Sequence, residues 1–493
     1  MRYIINGLKL HKHFICLCLL IIITSALSLS RLGHGSSHIP QTSWVSTNGE
    51  YVVFDLGASQ HVRFMSIHNG HFDRGLFHIT SSNDGERWYA IHTQTVHYTP
   101  YQWRRINFPA NTYARFIEIR PIANHSLQFY EVGVFNAQEE LIPIVGFHHY
   151  SKGAYSLIDE QHLIVLHPCF MLGIYFDEVH HVRTAHDYVH GNRATEWTHP
   201  PMGKNLIAAG IAVGGMNPFS WRLPGAIAGI LMIPLMYALA KALFRSNNWA
   251  LFASVVFAFD FMRFVQTRIA TLDSFLVLFV MAMYLFMLLY IQRVKTHSFK
   301  HTSILLILCG ISTGLAIATK WQGVYALIGL PILFAPSWFR LLKDNIPQAI
   351  KTIYICILAF LVVPFVIYAA SYIPFVIGNG AYDIPSAVRM FWNNQVDMFS
   401  FHSGIESDHR YGSPWWEWPL MLTPFHYFSR TINGYRHSII ALGNPAIWWF
   451  GIPALLWGLF RLIKPSRENV VLSKKERRLI KKKEKQLSSS TGG

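Results

Sequence analysis

Two adjacent carboxylates, Asp177 and Glu178, are followed at once by His180 and His181 and then by His199 and Lys204. Further along come Arg222, Arg268, Asp273 and Lys320, and later Glu417 inside the run Trp415-Trp416-Glu417-Trp418-Pro419. A carboxylate can take a proton from a hydroxyl, and Lys or Arg gathered beside it can hold an anion such as phosphate. Two carboxylates sharing a site would behave as an acid pair, but neighbours in an extended chain point to opposite sides, so Asp177 and Glu178 are read as having separate tasks. Each residue also has a plainer reading. The acidic pair can be the polar end of an apolar segment, and Lys204, Arg222, Arg268 and Lys320 can snorkel toward headgroups from helix ends. His199, ahead of Pro200-Pro201, can pin a turn or bond phosphate or acceptor. Asp273 is expected to pair with Arg268 across a short loop, and the three tryptophans to form an interfacial belt.

Other chemistries find little support. The chain holds 26 histidines, but pairs such as His148-His149 and His180-His181 are neighbours, not helical i, i+4 pairs, and no Cys–His zinc spacing appears. No metal and no cofactor are therefore expected. The five cysteines lie in or beside apolar segments, which implies no disulfide framework. The net charge of +16 comes from Lys and Arg beside apolar runs and in the tail from Arg461 to Lys485, a distribution that reports topology and excludes a nucleic-acid partner.

The elements that must position these residues are membrane helices and a sandwich. The chain is 52% hydrophobic and only 14% charged, a membrane composition. Residues 1–40 read as a basic N-terminus and a first helix or signal anchor, with Ser25-Ala26-Leu27-Ser28 as a candidate cleavage site. Spans near Trp221–Leu243, Trp249–Val265, Phe275–Ile291, Ser303–Ala318, Val324–Trp338, Ile353–Phe375 and Ala446–Leu462 bring the total to about eight. Putting Lys241/Arg245, Arg293/Lys295/Lys300, Arg340/Lys343/Lys351 and the tail, residues 464–493, on the cytoplasmic side leaves 175–204, 266–274 and 377–435 outside. Residues 41–140 hold short apolar blocks, such as Tyr51–Leu56 and Arg115–Arg120, between Gly, Asn, Asp and Pro, an all-β pattern of sandwich size. Phe54-Asp55-Leu56-Gly57, Ser81–Trp88 and Ala114–Arg120 together resemble a discoidin (coagulation factor 5/8 type C) jelly roll, a domain type that often binds glycans or lipid headgroups.

Residues 141–463, read as a membrane transferase domain, carry a second resemblance that covers Tyr175 to about Pro453. Tyr175-Phe176-Asp177-Glu178, Thr198-His199-Pro200-Pro201-Met202-Gly203-Lys204, Pro218–Arg222, Gln266–Ser274, Ala318–Gly323 and Ser413–Pro419 occur in that order. The set resembles the protein O-mannosyltransferases of the GT-C class. The resemblance implies an inverting glycosyltransferase moving mannose from a polyprenyl-phosphate donor to Ser or Thr hydroxyls of secreted or membrane proteins. Asp177 would then be the base, with Glu178 supporting it. A lipid phosphate leaves as an anion and calls for cations, which His199, Lys204, Arg222, Arg268 and Lys320 would supply with Glu417 contacting substrate; Arg222 matches the family arginine at the start of its helix. Against the family, the spans that usually follow the Trp-Glu-Trp-Pro region are missing, which implies a partner chain supplying helices or a shortened member. The usual eukaryotic β-trefoil is absent, which favours a bacterial plasma-membrane enzyme over one of the endoplasmic reticulum. Two alternatives stay open: a GT-C enzyme modifying a lipid or cell-wall glycan, and a non-catalytic membrane-anchored glycan-binding protein.

Overall fold

The computed structural model describes residues 2–47, 49–71, 75–95, 99–122, 126–404, 412–432 and 434–463. The basic tail beyond 463 lies outside the described residues.

The polar N-terminal region folds as two antiparallel sheets. Its strands are β1 (Trp44–Ser46), β2 (Val52–His61), β3 (Phe64–Asn69), β4 (Leu76–Ser82), β5 (Tyr89–Thr95), β6 (Trp103–Asn107), β7 (Tyr113–Pro121), β8 (Leu127–Phe135), β9 (Leu141–Ile142) and β10 (Gly146–His149). One sheet runs β1-β8-β3-β6 with β9 beside β8, the other β10-β2-β7-β4-β5. The two blocks legible as strands, around Phe54 and Ile117, are hydrogen-bonded neighbours, with Val52 opposite Ile119 and Phe54 opposite Ile117. Their apolar positions fall on one face and meet Trp44, Met65, Ile67, Phe77, Phe129 and Val132 in a common core. Between β4 and β5, Asp84 Oδ1 accepts the backbone N–H groups of Glu86 and Arg87 at 2.9 and 2.8 Å, and Gly85 sits at φ +81°, which is why that turn needs an Asp-Gly pair. The sheets run on past residue 140, because Gly146–His149 pairs with β2 although its His148-His149 shows no apolar alternation.

Among the described residues, six helices are long and apolar enough to cross a membrane: Lys12–Leu29, Pro218–Phe244, Asp273–Arg293, Phe299–Thr319, Gln322–Asp344 and Ile346–Gly378. In chain order the helices are α1 (Arg2–Leu29), α2 (Glu178–His190), α3 (Met202–Gly214), α4 (Pro218–Phe244), α5 (Asn247–Ala258), α6 (Phe261–Gln266), α7 (Asp273–Arg293) and α8 (Phe299–Thr319). The segment read as one span from Trp249 to Val265 is divided, and α5 is too short to cross. Asp260 caps α6 by accepting the Arg263 N–H at 3.0 Å, and the Arg263 guanidinium turns back onto the carbonyls of Phe257, Ala258 and Gly229. A carboxylate capping the new helix and a guanidinium taking the freed carbonyls of the old one look, by hydropathy alone, like a blemish in a span.

A hairpin, β11 (Phe425–Ile432) with β12 (Tyr435–Ala441), begins within residues 377–435, a stretch expected outside that showed no strand signal, and runs past it. Among the described residues, 414–422 and 445–463 form a separate compact unit. It holds the 3-10 turn Trp415–Leu420, with Trp415, Trp416 and Trp418 all exposed, and the apolar helix Pro445–Ile463.

Gly310 and Gly314 on α8 form a small-residue stripe against a π-helical turn at Leu358–Val362 and the following Pro364. Pro364 lacks an N–H, so the ladder before it is already broken, and the bulged turn presents its Ala359 carbonyl to α8. A Cβ at Gly310 would overlap that carbonyl, and its Ala359 Cα would lie at 2.9 Å. Gly310→Ala is expected to cost about 1–3 kcal/mol, read as a lower thermal unfolding midpoint of the detergent-solubilised protein, while Gly451→Ala, with nothing near its Cβ position, leaves the midpoint unchanged.

Candidate functional site

Glu178 and Asp177 part at the start of α2. Asp177 is in the right-handed helical region at φ −66°, ψ −7°, so the two are not alternating residues of an extended chain. Their separation is rotational, by the turn of a helix. Glu178 goes inward and is fully buried. It takes Arg222 Nε at 2.7 Å and Nη2 at 2.8 Å, the Tyr175 N–H at 3.2 Å and the Ala270 N–H at 3.0 Å. Arg222 is equally buried and donates its remaining N–H groups to the carbonyls of Leu32, Phe170 and Gly173. A guanidinium has five N–H donors, and all find acceptors here. The structure therefore places Arg222, expected at a phosphate, in a protein-internal node with no donor to spare.

Lys204 has the same fate. Its side chain is buried, and Nζ contacts Glu196 Oε2 at 2.6 Å and the carbonyls of Glu196 and His199 at 3.1 and 2.9 Å. Glu196, which no sequence pattern singled out, also accepts the Thr198 N–H and hydroxyl and faces His199 Nδ1 at 3.3 Å. Burial opposes its ionisation, but Lys204 and His199 hold its carboxyl well below the usual range. His199 thus serves in part as the turn-pinning residue, and His402 Nε2 meets the Thr198 carbonyl at 2.7 Å, tying this loop to the helix Ile384–Ser403.

Asp177 remains. Its half-buried carboxylate accepts no hydrogen bond among the described residues. Burial is the main cause raising its pKa, with Asp273 adding to it while His180, Lys320 and His199 pull the other way. Those neighbours map the site. Lys320, at the end of α8, contacts Asp273 Oδ1 at 2.7 Å, and this pair stays partly exposed. Asp273, at the start of α7, thus pairs with Lys320 rather than with Arg268, because α7 and α8 lie side by side and bring their two ends together. Gln266 donates to Asp273 Oδ2 at 3.2 Å and accepts from the Tyr427 hydroxyl. Tyr427 also packs on Phe176, so the unforeseen hairpin supplies one wall. Arg268 turns to the carbonyls of Ser30 and Arg31 and lies 4.8 Å from the Phe264 ring centre, with its Nε buried and unpartnered. Glu417 belongs to the separate unit described above. Of the expected residues, the geometry gathers Asp177, His199 and Lys320 with Asp273 and Tyr427, and takes Glu178, Lys204 and Arg222 into the scaffold.

The structure also holds two cavities away from these residues. An apolar groove of about 620 Å³ runs between α3, α4 and α7, lined by Leu206, Val213, Ile227, Leu231 and Phe279. A more polar cleft of about 950 Å³ is lined by Arg193, Trp197, Arg389, Asn393 and Asp397.

If Arg222 is a structural node, removing it leaves Glu178 buried and charged without its cation. Arg222→Met should cost about 3–5 kcal/mol, seen as a lower unfolding midpoint in micelles. The double variant Arg222→Met/Glu178→Gln should recover part of that loss, which a phosphate-binding arginine outside the scaffold would not do.

Comparison with known proteins gives a consistent picture. The family model for dolichyl-phosphate-mannose-protein mannosyltransferase matches residues 213–376, and that for the C-terminal four-span region of protein-O-mannosyltransferase matches residues 387–487. A polyprenol-phosphate-mannose–protein mannosyltransferase of Mycobacterium tuberculosis is 27% identical over 343 residues, covering 58% of this chain and 65% of its own. Its Corynebacterium glutamicum counterpart is 27% identical over 364 residues, with 60% and 69% covered. The chain thus spans just under two thirds of the first of these relatives. A solved protein O-mannosyltransferase complex of S. cerevisiae bound to the sugar donor is 23% identical, with a TM-score of 0.38 over 42% of this chain and 30% of that one. Two models of one family in the expected order, with relatives of the same name, show that the chain belongs to the protein O-mannosyltransferase family.

Proposed function

We propose that this protein transfers mannose from a polyprenyl-phosphate donor to Ser or Thr hydroxyls of exported proteins, on the extracytoplasmic side of a bacterial plasma membrane. The observation that carries the reading is Asp177: a half-buried carboxylate with no hydrogen-bond donor among the described residues, beside a partly exposed lysine. An acceptor hydroxyl oxygen would attack the anomeric carbon from the face opposite the phosphate and pass its proton to Asp177. The bond from that carbon to the phosphate oxygen breaks with its electron pair, releasing polyprenyl phosphate and inverting the configuration. The leaving group is already an anion, so it calls for a cation rather than an acid. With Arg222, Lys204 and Arg268 engaged with carboxylates or carbonyls of the protein, this reading gives the task to Lys320, whose charge acts on Asp177. The raised pKa of Asp177 suits a base, since a stronger conjugate base is a better proton acceptor.

The side of the membrane is supported by charge. Asp177, Asp273 and Lys320 lie at one set of helix ends, while Lys241, Arg293, Lys300 and Lys343 lie at the other ends of α4, α7 and α8 and of the helix Gly329–Asp344. Basic residues favour the cytoplasmic side. The apolar groove between α3, α4 and α7 offers the lipid tail a place to lie.

Membranes containing the protein, given polyprenyl-phosphate-[³H]mannose and a Ser/Thr-rich peptide, should label the peptide. Label found only in lipid would reject a protein acceptor. Asp177→Asn should lower the rate by about 10²–10⁴-fold with little change in unfolding midpoint, because that side chain makes no hydrogen bond to lose. The ionised form of Asp177 is the active one. Its pKa lies above the ordinary 3.8, so the rate should fall as pH drops through that raised value, and Asp177→Asn should abolish this acidic limb.

A further inference from the structure

The hairpin strand β11 borders a cleft of about 400 Å³ that also touches the sandwich and the segment entering α2. Four consecutive residues of β11 line it: Tyr427, Phe428, Ser429 and Arg430. Side chains of a strand alternate between its two faces, so a cleft that meets four in a row runs along the strand's edge, where the backbone is presented. β12 fills one edge of β11, and among the described residues no strand pairs with the other. A row of unpaired N–H and C=O groups is a template for one more strand, and it matches an extended polypeptide, whose own amides repeat at the same spacing.

One end of that edge stands near the base. Tyr427 is the extra residue of a β-bulge, since His426 pairs with Ile440 and Phe428 with Ile439, and a bulge re-aims a side chain and ends regular pairing. Its ring packs on Phe176, with centres 4.6 Å apart, and its hydroxyl donates to Gln266. Burial raises the pKa of that hydroxyl, and the charges of Asp273 and Asp177 add to the rise. Phe176, the residue before Asp177, also lines the cleft and holds φ +52°, a conformation that is costly for a bulky residue and that clusters at functional sites. At the other end Arg430 donates to the Pro168 carbonyl at 2.9 Å. The lined edge is about 10 Å long.

Another wall comes from the sandwich. Thr99 and Gln102, between β5 and β6, line the same cleft. Gln102 Nε2 donates to the Ile174 carbonyl at 3.3 Å, and the Ile174 N–H donates to the Tyr101 carbonyl at 3.3 Å. Those bonds hold the wall against the segment that carries Asp177. The volume is at the small end for ligand sites, room for a few residues of extended chain.

We propose that this cleft is the acceptor subsite: an exported polypeptide adds to β11 as a strand, beside the sandwich, with its target Ser or Thr at the Tyr427 end, toward Asp177. The sandwich thereby takes part in choosing the acceptor, given the transferase reading on which this subsite rests.

The test uses membranes containing the full chain, polyprenyl-phosphate-[³H]mannose and peptides with a single acceptor Thr, each carrying one N-methyl group at a successive backbone amide. Alternate amides of an added strand face the edge, so methyl groups at every second position should raise the peptide KM about 10-fold, while those between leave it unchanged and the donor KM stays constant. Thr99→Cys labelled with a benzophenone maleimide should crosslink the unmethylated peptide above the background of the identically treated wild type, and excess unlabelled peptide should suppress the product. Wild-type transfer with N-methyl effects that do not alternate, or with no crosslink from position 99, overturns the subsite and leaves the transferase reading standing. A wild type that puts no mannose on peptide overturns both.

Discussion

The buried pair between Glu178 and Arg222 is the constraint on which the helical part depends. Arg222 reaches Leu32, just beyond the first helix, Phe170 and Gly173 in the segment leading to α2, and Glu178 at the start of α2. Glu178 in turn accepts the N–H of Ala270, in the loop before α7. Four stretches distant in sequence, at residues 32, 170–178, 222 and 270, meet at two side chains. A buried ion pair gains little net stability over an apolar replacement, but one left half-made is expensive, so such a pair selects one arrangement of its segments over others.

That selection determines what Asp177 can be. Because Glu178 is drawn inward, the preceding residue is rotated toward the ends of α7 and α8, where Lys320 and Asp273 stand. The second buried pair, Lys204 with Glu196, does the same for the loop that carries His199. Burial sorts the charges into two kinds. Those with every donor or acceptor taken hold the protein together, and those with capacity to spare, such as Asp177, stay at the helix ends. Type and spacing cannot make that distinction, since a lysine at a helix end looks alike in both roles.

The sandwich was legible because strand alternation and an Asp-Gly turn are local signals, and the blocks around Phe54 and Ile117 proved to be partners. Most membrane helices were legible for the same reason, a long apolar run being a local property. The break at Asp260 was not, because what ends α5 is Arg263 folding back to carbonyls that include Gly229 on another helix. Nor was the β11–β12 hairpin, whose Tyr427 is held by Gln266 and Phe176 from far upstream. Glu196 escaped notice because a lone carboxylate carries no pattern until a lysine is buried against it.

By itself the sequence determined the membrane class, the sandwich, the order of the family's motifs and the residues from which a site could be built. Hydropathy, turn chemistry and motif order act over short stretches of chain and survive without the fold. Only the tertiary structure decided that Arg222 and Lys204 are internal, that Asp273 answers to Lys320 rather than Arg268, and that Asp177 alone of its pair keeps a free carboxylate. Those outcomes depend on which donors meet which acceptors across hundreds of residues, and hydrogen-bond capacity, once used, is unavailable for substrate.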